Sequence, residues 1–78
     1  MPTVLRVDGY RFFFYSNESS EPPHIHVQKA EGLAKFWLNP ISLVNASGFQ
    51  QKQIVRIEQI IREHQSELER AWHEYFTK

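Results

Sequence analysis

Tyr10-Arg11-Phe12-Phe13-Phe14-Tyr15 and His24-Ile25-His26-Val27-Gln28 are two runs rich in aromatic and β-branched residues, which fit a pleated sheet better than a helix. They read as the central strands of one sheet, with the rest of the chain pairing with them or covering them. Thr3 to Val7 precedes the first run, and Asp8-Gly9 lies between the two. An Asp-Gly pair between apolar runs suits a type I′ hairpin, whose two central residues both take positive φ. In that register Val7 faces Tyr10, Leu5 faces Phe12 and Thr3 faces Phe14 on one side of the sheet. On the other, Arg6 faces Arg11 and Val4 faces Phe13, so two like charges lie opposite each other, which is mildly destabilising.

Ser16 to Pro23 is a polar loop whose Pro pair keeps the preceding backbone extended and delivers the chain into the third strand. His24 to Lys29 and Leu33 to Leu38 are joined through Ala30-Glu31-Gly32. With Glu31-Gly32 as the turn, Val27 pairs with Phe36 and Ile25 with Leu38 on the apolar side, while His26 pairs with Trp37 and Gln28 with Lys35 on the other. A slip of one residue would mix the two faces and is rejected. Asn39-Pro40 fits a helix start, although Ile41 to Val44 fits a short extended segment equally well. Ser47 with Gln50, and Ser66 with Glu69, have capping-box spacing. Ile54, Ile57, Ile61, Leu68, Ala71, Trp72, Tyr75 and Phe76 keep helical spacing. One helix from Gln50 to Phe76 would run roughly 40 Å, long for so small a sheet, so a break is expected near His64 to Ser66. The expected fold is α+β in two layers: a four-stranded antiparallel β-meander covered on one face by one kinked or two C-terminal helices.

Seventy-eight residues suffice for one core, because a chain of this length buries only roughly 60% of its unfolded surface. One domain over residues 1–78 is expected. No cysteine is present, which rules out disulfides and thiolate zinc sites. No apolar stretch approaches the roughly 20 residues of a membrane span, and no signal pattern opens the chain, so a cytoplasmic protein without membrane contact is expected. Nine Lys and Arg balance nine Asp and Glu, which counts against strong sequence-independent binding to duplex nucleic acid. The same neutrality favours self-association, so a homodimer is one expectation.

Leu5, Val7, Tyr10, Phe12, Phe14, Ile25, Val27, Ala34, Phe36 and Leu38 share one face, which is apolar and forms the core beneath the helices. Val4, Arg6, Arg11, Phe13, Tyr15, His24, His26, Gln28, Lys35 and Trp37 share the other. Three readings compete for that open face. As a partner or dimer surface it exposes Phe13, Tyr15 and Trp37 beside arginines, a composition interfaces favour. As a platform for an anion, RNA or single-stranded DNA it stacks bases on rings while Arg6, Arg11 and Lys35 hold phosphates. As a catalytic site it offers His24 and His26, which point the same way two residues apart on a strand. With Tyr15 and Lys35 they supply the acid, base and charge stabiliser of a metal-independent ribonuclease. The same His-x-His pair, with Glu18 or Glu21, alternatively forms a metal site. No cofactor is expected. His64, His73 and the aromatic residues of the C-terminal half read more simply as helix-capping, solvated or packing positions.

Tyr10 to Glu18, Glu21-Pro22-Pro23-His24-Ile25-His26-Val27, Ala34-Lys35-Phe36-Trp37-Leu38 and the closing Glu63-His64, Ala71-Trp72 and Tyr75-Phe76 resemble the signature of the bacterial family called domain of unknown function 4160. The resemblance runs the length of the chain. It implies a small prokaryotic protein often encoded beside a second small protein, an arrangement similar to toxin–antitoxin modules. That setting implies a cognate protein partner and makes nucleic acid or a ribonuclease target plausible. The residue types the motif fixes include Arg11, Tyr15, Asn17, Glu18, His24, His26, Lys35 and Trp37, so the resemblance adds Asn17 and Glu18 from the loop to the candidate binding residues.

Overall fold

In the computed structural model, which describes residues 3–15 and 20–76, the strands are β1 (Thr3–Val7), β2 (Tyr10–Phe13), β3 (His24–Lys29), β4 (Gly32–Leu38) and β5 (Ile41–Ser47). The helices are α1 (Gln51–Glu63) and α2 (Gln65–Phe76). The strands form one antiparallel sheet in the order β1-β2-β3-β4-β5. The fold is α+β with two C-terminal helices, and the sheet has five strands where four are expected. The fifth comes from the segment that admitted two readings. Asn39 and Pro40, joined by a cis peptide, form a turn rather than a helix start, and Ile41 pairs back with Leu38. Pairing with β5 satisfies backbone groups that would otherwise line an open edge of β4.

Asp8 and Gly9 take φ of 54° and 83°, the two positive values of a type I′ turn. Val7, Arg6 and Leu5 pair with Tyr10, Arg11 and Phe12 as the pattern predicts, but a bulge then inserts Val4, so Thr3 pairs with Phe13 instead of Phe14. The extra residue turns Val4 away from the open face to pack against the core. Between β3 and β4 the turn is Ala30-Glu31 rather than Glu31-Gly32, and Lys29 pairs with Gly32. The register is therefore two residues from the expected one: Ile25 pairs with Phe36, Val27 with Ala34, His26 with Lys35 and His24 with Trp37. A shift of two leaves every side chain on its expected face. Gly32 serves packing: a Cβ there would sit 2.4 Å from the Phe49 ring.

The core gathers Tyr10, Phe12, Phe14, Ile25, Val27, Ala34, Phe36 and Leu38 from the sheet side against Ile57, Ile60, Ile61, Leu68 and Trp72 from the helices. All ten residues assigned to the apolar sheet face pack in or against this core, joined by Val4, which the bulge brings there, and by Ile41 of β5. Capping at α1 falls three residues later than the Ser47/Gln50 box: Gln50 is the N-cap and its N–H donates to Gln53 Oε1 at 2.8 Å. Ser66 lies inside α2 rather than capping it. The helical run breaks at His64, the C-cap of α1, whose carbonyl accepts the Leu68 N–H at 2.9 Å. The α1–α2 junction is tied to the sheet by Gln65 Nε2, which donates to the Leu38 carbonyl at 2.6 Å. At the other end of α1, Arg56 Nη2 and Nε meet Asp8 Oδ2 at 2.6 and 3.0 Å. That hydrogen-bonded carboxylate raises the guanidinium pKa. No helix among the described residues is long and apolar enough to cross a membrane.

Candidate functional site

The helices pack on one side of the sheet, and strand alternation sends Arg6, Arg11, Phe13, His24, His26, Gln28, Lys35 and Trp37 to the other. Arg6 and Arg11 are directly paired, yet their environments differ. Arg6 is exposed. Arg11 donates from Nε to Thr3 Oγ1 at 2.8 Å and from Nη1 to Gln28 Oε1 at 3.1 Å, and its guanidinium lies 4.3 Å from the Phe13 ring centroid. The β1 bulge makes the first of these bonds possible by bringing Thr3 opposite Phe13. The Arg11 charge is thus held by two acceptors and a ring face, which offsets repulsion from Arg6.

Phe13 stacks on His26 with centroids 5.5 Å apart, and Tyr15 sets its ring edgewise against both, at 5.3 and 4.6 Å. Phe13, expected to be exposed, is buried, while Tyr15 remains 36% exposed. On β4, Lys35 Nζ lies 5.0 Å from the Trp37 ring centroid and 2.7 Å from Glu21 Oε1. Glu21 thus brings a carboxylate to a face whose strands carry none, and the local charge is mixed rather than cationic.

His24 occupies the closed end of this face. Its ring is fully buried, 4.7 Å from Trp72 of α2, 5.8 Å from Trp37 and 5.2 Å from His26. Nδ1 stands 3.0 Å from the Pro22 carbonyl, which can only accept, so Nδ1 carries the hydrogen. Glu21 Oε1 lies 3.6 Å from the same nitrogen. Proton transfer requires a group within hydrogen-bond reach of the substrate. His24 has no exposed surface, whereas the half-buried His26 and the exposed Tyr15 reach the solvent side. The geometry suits His24 to orienting the array and fixing α2 to the sheet. Among the described residues no three His, Asp or Glu side chains gather to hold a metal ion. Asn17 and Glu18 lie outside the described residues.

The structure thus brings Phe13, Tyr15, His24, His26, Lys35 and Trp37 into one connected set of rings and charges, with Arg11 and Gln28 beside it and Arg6 at its margin. Leu33 is absent from the expected face, yet it is 44% exposed and alternates with Lys35 and Trp37. Period-two alternation extended by one step would have found it. Glu21 and Trp72 had no comparable signal, since both arrive from outside the strands.

A family model described as Domain of unknown function (DUF4160) matches residues 9–73. No curated protein and no solved structure matches the chain. The matched span holds β2 through most of α2, and with them every strand of the ring array, so the chain belongs to the domain of unknown function 4160 family.

Proposed function

We propose that this protein is one component of a toxin–antitoxin-like pair and binds its partner, a small protein, through the uncovered sheet face. The observation that carries this reading is that Tyr15, His26 and Trp37 reach the surface of this face around the buried Phe13, with Arg11 and Lys35 held on ring faces. Aromatic and Arg anchors dominate protein interfaces, and side chains already held in place lose little entropy on binding. Nucleic acid is the weaker fit. Lys35 is engaged by Glu21 and Arg11 by Thr3 and Gln28, and a neutral chain releases few counterions from phosphates. A His24/His26 ribonuclease is disfavoured by the burial of His24.

The test is titration calorimetry of the purified protein against the small protein encoded beside it, comparing wild type with Tyr15→Ala and Trp37→Ala. Each substitution weakens binding about tenfold or more, as truncated aromatic anchors do, with an unchanged far-UV circular dichroism spectrum. Binding unaffected by both substitutions would overturn the reading. Tight, salt-sensitive binding to single-stranded RNA without any protein partner would replace it with the nucleic-acid reading.

A further inference from the structure

The two edges of the sheet are built differently. β1 is short and carries the exposed Arg6; short edge strands and charge are devices that keep an edge from pairing. β5 is seven residues long, Ile-Ser-Leu-Val-Asn-Ala-Ser, with no charge and no proline. Of the large apolar side chains exposed on the described residues, Leu33, Leu43 and Val44 lie on β4 and β5, at 44%, 45% and 37% exposure. The outer side of β5 has no neighbouring strand among the described residues.

We propose that β5 pairs antiparallel with β5 of a second copy of this chain, joining two sheets edge to edge about a two-fold axis at Val44. Composition selects the second copy as occupant. In an isologous pair residue i meets residue j and j meets i, so every position of β5 meets another position of the same uncharged strand, and the pairing is neutral against neutral throughout. Zero net charge on the whole chain removes the longer-range repulsion as well. β5 carries a bulge of its own, at its midpoint. Val44 is the unpaired residue between Leu43, opposite Phe36, and Asn45, opposite Lys35. It divides β5 into Ile41–Leu43 and Asn45–Ser47, two runs of equal length that pair reciprocally, with Ile41 opposite Ser47 and Leu43 opposite Asn45 of the copy. Pairing along this length forms about six backbone hydrogen bonds, which at one per roughly 100–200 Å² corresponds to roughly 600–1,200 Å², the size of a weak, reversible association. The uncovered sheet face stays accessible on both copies, so this dimer stands or falls independently of partner binding there.

Sedimentation velocity over a concentration series tests it on the intact chain. Wild type sediments as a dimer in reversible equilibrium. Val44→Lys sets two lysines directly opposite each other at the axis, with Cβ atoms roughly 5 Å apart, and weakens the dimer about tenfold or more. Asn45→Lys, also on an exposed position, sets a lysine opposite Leu43 of the copy on each side of the axis, weakens the dimer as well, and covers the case in which Val44→Lys fails to fold. Val55→Lys, on α1 at 49% exposure, leaves the dimer intact. Because the chain has no cysteine, Val44→Cys alone forms a covalent dimer under mild oxidation and Val55→Cys does not. A wild type that is monomeric throughout, a dimer indifferent to both edge substitutions, or a dimer equally sensitive at Val55 would overturn the proposal.

Discussion

Replacing Gly32 by alanine tests whether this glycine is required for space or for backbone freedom. An ideal Cβ at Gly32 would lie 2.4, 2.6 and 2.7 Å from three carbons of the Phe49 ring, where carbon atoms prefer roughly 3.5–4.0 Å. The ring must therefore move by about 1 Å or swing out. Phe49 is half-buried against the core and 6.0 Å from the Tyr10 ring. Displacing it forfeits about half of the roughly 1.5–3 kcal/mol that burial of a large apolar side chain contributes, with a further roughly 0.5–1.5 kcal/mol from the aromatic pair. Against this, Gly→Ala reduces unfolded-chain entropy and returns roughly 0.4–1 kcal/mol. The net expectation is a loss of about 1–2 kcal/mol, or about 4–8 °C in Tm per kcal/mol for a domain of this size. In a Phe49→Ala background the obstruction is gone, and Gly32→Ala becomes neutral or stabilising by up to about 1 kcal/mol. Urea unfolding of the four proteins of the cycle, followed by tryptophan fluorescence, measures a coupling of about 2 kcal/mol, within the range for contacting residues. An equal cost of Gly32→Ala in both backgrounds would refute the packing explanation and place the cost in the backbone, as the Glu31-Gly32 turn read from the sequence requires.

Two further substitutions probe local strain and the candidate site. Ala30 holds φ at 53° in the β3–β4 turn, a conformation costing a residue with a Cβ roughly 1–2 kcal/mol. Ala30→Gly should therefore raise stability by about 0.5–1 kcal/mol after the entropy cost of glycine, and a lower urea midpoint would contradict the turn assignment. His24→Ala removes a fully buried ring packed on Trp72 together with its hydrogen bond to the Pro22 carbonyl. It should cost about 2–4 kcal/mol, whereas His26→Ala, half-buried on Phe13, should cost less. An equal or reversed order in chemical denaturation would show that His24 is not the residue joining α2 to the sheet.

Much of the fold is legible in short-range pattern. Asp8-Gly9 specifies its turn because few residue pairs accept two positive φ values, and the ten residues assigned to the apolar face lie against the core in the structure. The face assignment survives the error in the β3–β4 register because side chains repeat every two residues, so a two-residue shift changes partners without changing sides. The helix break near His64 is legible from length alone, since an unbroken helix would overrun the sheet. Other features depend on partners distant in sequence. Gly32 lies in a strand rather than a turn because Phe49 fills the space beside it, and Ile41–Ser47 becomes a strand because β4 offers an edge to pair with. Val4 leaves the open face through a bulge that no local pattern announces. The candidate site divides in the same way. By itself the sequence determined which side chains share the uncovered face, because period-two alternation is a property of the strand. Tertiary structure alone decided that Trp72 closes over His24 while His26 and Tyr15 stay accessible, because that burial depends on where α2 crosses the end of the sheet.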